Sequence, residues 1–168
     1  MANPAQKLYE DDLEDVNADF EGAPKAEPFR LKIELLEKGS KTKMLARTDN
    51  LWMQIRCYSP HEGENAMHAH HYQDHSFVVL QGTARFFCPL GVTHELGRNE
   101  GVMLPQGAYY CFENAGDDPL VVMRIVSITR EEGDVNKRLG VHGKQVQPHS
   151  TENKRPQETV VREGAFYE

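Results

Sequence analysis

From about Arg30 the chain alternates apolar and polar residues in short runs broken by Gly, Pro and Asn, the period of a strand with one buried face. The pattern predicts strands at Leu31–Leu36, Leu51–Tyr58, Ala66–His71, His75–Leu80, Ala84–Cys88, Val92–Leu96, Gly101–Leu104, Tyr109–Asn114 and Leu120–Ile128. Helical periodicity is hard to find before Thr129. A short helix is expected at Arg130–Arg138, where Glu and Lys recur and only Val135 is β-branched. Many short strands with turn residues between them predict an all-β sandwich or barrel.

The flanks read differently. Residues 1–30 mix acidic clusters with small residues and prolines, a composition that buries little apolar surface, so an N-terminal arm is expected there. Residues 31–128 form the barrel. Residues 129–168 form a polar, turn-rich C-terminal extension that ends in an apolar tip. Val160, Val161, Phe166 and Tyr167 are needless in a disordered tail, so the extension is expected to pack on the barrel or on a partner subunit, in a homodimer.

Composition narrows the partners. At 168 residues and a net charge of −7, the chain lacks the basic stripe that nucleic acid or an anionic membrane surface requires. No apolar stretch approaches the roughly 20 residues of a membrane span. The N-terminal sequence lacks the apolar core of a secretory signal, and the expected compartment is the cytoplasm. Cys57, Cys88 and Cys111 make an odd set without a CxxC pair, which predicts free, mostly buried thiols.

The chemistry concentrates in MHAHHYQDH. Of eight histidines, His68, His70, His71 and His75 fall in this one stretch. On a strand, His68 and His70 share a face and His71 points the other way. Paired imidazoles on an interior face form a bidentate metal grip, and a turn brings His75 or Asp74 near as a third donor. Histidines kept merely as polar filler would leave buried groups unsatisfied at roughly 1–3 kcal/mol each.

Here the chain resembles the cupin superfamily. The first cupin motif, G(x)5HxH(x)3–4E(x)6G, is approached by Gly63, His68, His70, His75 and Gly82, with a first spacer one residue short. The second, G(x)5PxG(x)2H(x)3N, is approached by Pro105, Gly107 and Asn114, with Tyr110 at the histidine and Asn99 at the leading glycine. The resemblance spans roughly Leu51 to Ile128. It implies a single double-stranded β-helix (jelly-roll-like) barrel. It also implies a metal sphere of His68, His70, His75 and Tyr110 holding a divalent ion, with Fe(II) favoured over Zn(II), Ni(II), Mn(II) or Cu(II). Tyr110 either binds the metal or stays protonated beside it as a catalytic hydrogen-bonding group.

Further candidates line the same interior. Phe77 shares a face with His75, and Phe112 with Tyr110, giving an apolar pocket with a few polar groups. Arg124 sits between the apolar same-face neighbours Val122 and Val126, where a guanidinium suits a substrate carboxylate. Arg56 and Arg85 also lie in strand-like runs, and Gln54 and Arg56 share a face with Trp52 and Tyr58. The leading functional expectation, carried by the resemblance, is a non-haem Fe(II) dioxygenase acting on a small oxygenated molecule. The alternatives are a non-redox metal-dependent isomerase, cyclase or lyase using Tyr110 as acid or base, and a non-catalytic binding module.

Overall fold

The computed structural model describes residues 25–63, 66–129, 136–147, 153 and 158–168. It is nearly all strand: β1 (Ile33–Lys38), β2 (Ser40–Arg47), β3 (Leu51–Tyr58), β4 (His68–His70), β5 (Gln73–Gln81), β6 (Ala84–Phe87), β7 (Thr93–Leu96), β8 (Gly101–Leu104), β9 (Cys111–Asn114), β10 (Leu120–Ile128), β11 (Arg138–Gly140), β12 (Gln145–Val146) and β13 (Val160–Tyr167). All pairings are antiparallel. A five-stranded sheet runs β2-β3-β10-β5-β8, and two three-stranded sheets run β7-β6-β9 and β12-β11-β4. β1 and β13 form a ribbon of their own.

The central strand, β10, reads LVVMRIVSI because both of its faces are covered. Inside, Leu120 and Val122 pack with Tyr58, Phe77, Phe86 and Phe112 in the barrel core. Outside, Val121 packs with Ile33, Leu36, Ile55 and Cys57 under the β1–β13 ribbon. Each such side chain contributes about 1.5–3 kcal/mol when fully buried. The inner core is aromatic: Phe86 stacks on Phe112 at 4.7 Å, and Phe77 meets Phe112 edge-on at 5.3 Å.

Strands β3, β8 and β10 keep their expected bounds, and the other expected strands move by one or two residues at an end. β2 was not expected. Its sequence, SKTKMLAR, carries the lysines of a sheet edge and is largely half-exposed or exposed, so no apolar alternation marks it. The helix expected at Arg130–Arg138 lies mostly outside the described residues, and its last residue, Arg138, opens β11. The arm expected at 1–30 also lies largely outside them, and residues 25–32 carry no regular structure. At the other end, the aromatic tip joins the ribbon, with Tyr167 opposite Ile33 and Phe166 opposite Glu34.

Two motif positions explain themselves. Gly82 adopts φ +81° in the β5–β6 turn, where a Cβ would stand 3.1 Å from Leu120 Cα. Asn99, at the place of the second motif's leading glycine, adopts φ +68° and donates its N–H to Val79 O at 2.8 Å. Asparagine is among the few residues that tolerate this left-handed conformation.

Candidate functional site

The inward positions of the five-stranded sheet align in rows. Val126 on β10 lies between Trp52 on β3 and His75 on β5, and Arg124 lies between Gln54 and Phe77. Val122 lies between Arg56 and Val79. This register settles which face of β3 looks inward: Gln54, Arg56 and Tyr58 face the barrel, while Ile55 and Cys57 face the outer layer. From the opposite side, His68 N donates to Tyr110 O at 3.1 Å and Tyr110 N returns a bond to His68 O at 3.0 Å. That bridge sets the His68 and Tyr110 rings 4.9 Å apart and closes the barrel over the row of His75.

Hydrogen bonds fix the imidazoles. His68 Nδ1 donates to Ala66 O at 2.8 Å, so its Nε2 carries the lone pair. That Nε2 lies 3.1 Å from His70 Nε2, while His70 Nδ1 is buried without a partner among the described residues. His75 accepts the Tyr110 hydroxyl at Nδ1 (2.9 Å) and donates from Nε2 to Gln73 Oε1 (2.9 Å). Arg124 leans on the same imidazole, with Nη2 3.0 Å from Nε2 and 3.4 Å from Nδ1. Its Nη1 donates to Gln54 Oε1 at 3.2 Å.

Burial and charge set the protonation states. Burial, then the Arg138 and Arg124 guanidiniums with a lesser push from Arg56, depress His68 to about 4 against the opposing Ala66 carbonyl. Burial also drives His70 far down, helped by His68 and Arg124, and drives His75 down, helped by Arg124 and His70. All three rings are neutral at pH 7. Burial raises Tyr110, and Arg124, Arg138 and Arg56 partly oppose it. The buried charged groups among the described residues are Arg56, Arg124 and Arg138, with no buried carboxylate beside them.

A divalent metal finds a partial fit. With ligand bonds of 2.0–2.1 Å, two nitrogens 3.1 Å apart subtend about 100° at an ion, which suits adjacent positions of one coordination sphere. His68 and His70 therefore fit as a pair. In the larger sphere that the resemblance implies, His75 has both ring nitrogens hydrogen-bonded, one of them to Tyr110. Among the described residues no group of three or more His, Cys, Asp or Glu is placed to hold a metal. Asp74, the competing third donor, points away and accepts the Gln106 N–H at 2.7 Å.

The remaining candidates separate clearly. Gln54, Arg56 and Arg124 face the interior with the histidines. Phe77 and Phe112 belong to the aromatic core that continues from the polar cluster. Arg85 forms ion pairs with Glu95 and Glu113 at half-exposed sites. His71 is exposed, with its ring 5.9 Å from that of Tyr72. Asn114 donates to Ser59 O and Asp118 O and accepts the Gly116 N–H, so it staples a turn. Gln73 and Arg138 escaped sequence reasoning. Gln73 shares the inward face of β5 with His75, a signal that a strand start two residues earlier would have exposed.

Residues 54–127 match the family model described as Cupin domain. Over 77 residues the chain is 40% identical to a mannose-1-phosphate guanylyltransferase of Salmonella typhimurium, a match covering 45% of this chain and 16% of that protein. It is 36% identical over 86 residues to the Escherichia coli mannose-1-phosphate guanylyltransferase, covering 51% of this chain and 18% of that one. The chain thus spans under a fifth of the length of these curated relatives. Among solved structures, a cupin superfamily protein from Desulfitobacterium hafniense superposes with a TM-score of 0.52 at 19% identity, covering 64% of this chain and 96% of that one. A Klebsiella pneumoniae protein with a double-stranded β-helix domain gives 0.50 at 16% identity, covering 56% and 81%. At such identities the likeness shows the fold.

Proposed function

Residues 54–127 form a cupin domain, and from that premise we propose that its interior carries out non-redox proton transfer on a small oxygenated molecule. The observation that carries this reading is the 2.9 Å bond between the Tyr110 hydroxyl and His75 Nδ1. A neutral imidazole that accepts a phenol proton, with its other nitrogen tied to Gln73, is arranged as an acid–base relay. Tyr110 gives or takes a proton at its hydroxyl, and His75 holds the balance at Nδ1. The neighbouring guanidiniums partly offset the rise that burial imposes on the Tyr110 pKa, and the hydroxyl rests protonated, ready to donate. A divalent ion resting on His68 and His70 would supply Lewis-acid polarisation of a substrate oxygen. The curated relatives are named for guanylyl transfer involving a sugar phosphate, which supports non-redox chemistry on an oxygen-rich substrate.

The 3.1 Å approach of His68 and His70 favours one second reading, a non-haem Fe(II) dioxygenase. One pair of assays separates the two. The protein, incubated in D2O with hydroxy-ketones, aldoses and their phosphates, is expected to exchange hydrogen for deuterium at a carbon beside the carbonyl, read by NMR. Tyr110→Phe should slow that exchange about 100-fold or more. Oxygen uptake tied to bound iron, without exchange, would overturn the non-redox reading and establish the other.

A further inference from the structure

A buried arginine is costly unless its charge is answered by hydrogen bonds and an opposite charge. Arg124 is 8% exposed, and its bonded partner is the neutral Gln54 Oε1 at 3.2 Å; its Nη2 faces His75 Nε2 at 3.0 Å, whose N–H is given to Gln73 Oε1 and cannot accept. Its Nε has no partner among the described residues. Burial is the largest influence on its pKa and lowers it, and among the described residues the Tyr110 and Tyr58 phenols are what oppose that. The guanidinium stays charged nonetheless.

Apart from His70 Nδ1, which accepts while His70 Nε2 faces the His68 lone pair, the unpaired atoms around it are donors. Among the described residues Trp52 Nε1 and Gln73 Nε2 are buried without acceptors, and both are donors, as is Arg124 Nε. These side chains are neighbours. Gln73 Oε1 and Arg124 Nη2 both reach His75 Nε2, while Trp52 stands one inward position from Gln54 on β3 and across Val126 from His75. An interior with a positive charge and surplus donors is complementary to a group that is negative and only accepts. With Trp52 9% and Arg124 8% exposed, the occupant is a small molecule rather than a macromolecular surface.

We propose that Arg124, helped by Gln54 and the Trp52 indole N–H, binds the oxyanion of a small-molecule ligand, a carboxylate or a phosphate, inside the barrel. The inference rests on reading this interior as a small-molecule site and is independent of the proton-transfer step. The forked guanidinium takes an oxyanion through two parallel bonds, a geometry that neither a halide nor a neutral hydroxyl can use. Arg124 then selects, among oxygenated molecules, those carrying an acidic group.

Trp52 is the chain's single tryptophan and reports on its own site. The full chain is titrated with inorganic phosphate, with succinate, and with sodium chloride at matched ionic strength while Trp52 fluorescence is followed. A saturable change is expected with at least one oxyanion and none with chloride. A response to phosphate alone assigns a phosphoryl group, and a response to succinate alone assigns a carboxylate. Arg124→Gln should weaken binding about tenfold or more. If that variant fails to fold, Arg124→Lys, which keeps the charge without the fork, should still bind several-fold more weakly than wild type, by calorimetry. No saturable response to either oxyanion, or unchanged affinity in a folded Arg124 variant, overturns the proposal. Deuterium exchange that persists without oxyanion binding sinks this inference alone, whereas oxyanion binding without exchange sinks only the proton-transfer reading.

Discussion

Tyr110 and His75 stand 35 positions apart in the chain and share a 2.9 Å hydrogen bond at a site where neither is more than 2% exposed. The bond holds the phenol proton between two groups that burial keeps neutral. Tyr110→Phe removes the hydroxyl and leaves the ring packed against His68 and Phe77. Turnover should fall about 100-fold or more with KM shifting only a few-fold. An equal loss in KM alone would assign Tyr110 to binding.

The neutral histidines predict a pH dependence of stability. Above pH 6.5 folded and unfolded chains both carry neutral rings and the term vanishes. Below it the unfolded chain takes up protons that the buried rings refuse, so stability is lost as pH falls from 6.5 towards about 4 for His68. The slope is up to about 1.4 kcal/mol per pH unit for each ring, and His70 and His75 add in the same direction. Urea midpoints should therefore drop between pH 7 and pH 5, and less steeply in His68→Gln. Equal midpoints at the two pH values would show that the rings are not held neutral.

Metal titration tests the difference between the paired and the four-residue sphere. His68→Ala and His70→Ala should each weaken Zn(II) or Ni(II) binding about 100-fold, measured against a competing chelator. His75→Asn should change it by no more than about threefold, since the ring is engaged by Tyr110 and Gln73. A loss in His75→Asn as large as in His68→Ala would show that His75 turns onto the ion.

Asn99 occupies the left-handed turn where the second cupin motif carries glycine. Asn99→Gly should be close to neutral. Asn99→Val should cost about 1–2 kcal/mol, because a β-branched side chain clashes at positive φ. Denaturant unfolding of the two variants reads the difference directly.

What the sequence made legible follows from range. The alternation that puts His68 and His70 on one face is a property of three consecutive residues, and so are the boundaries of β3, β8 and β10. Which face of β3 turns inward depends on the β1–β13 ribbon, more than a hundred positions from β3 at its far strand, and no local pattern encodes it. The engagement of His75 by Tyr110 and Gln73, with Arg124 against its ring, is likewise tertiary, and spacing alone does not encode it. Arg138 was invisible because β11 is three residues long in a polar stretch and pairs with β4 only through the fold.

The β1–β13 ribbon also imposes an order on assembly. Ile33 cannot meet Tyr167 until the last strand of the described barrel has been made, and pairings between such distant positions form slowly. During synthesis the outer face of the central sheet, with Ile55, Val121 and the Cys57 thiol, stays wet after the inner core has its strands. Covering it is the final act of folding. Cys57, shut away in the finished protein and pushed up to about 11 by burial, is thus a clock: its alkylation ceases when the ribbon docks.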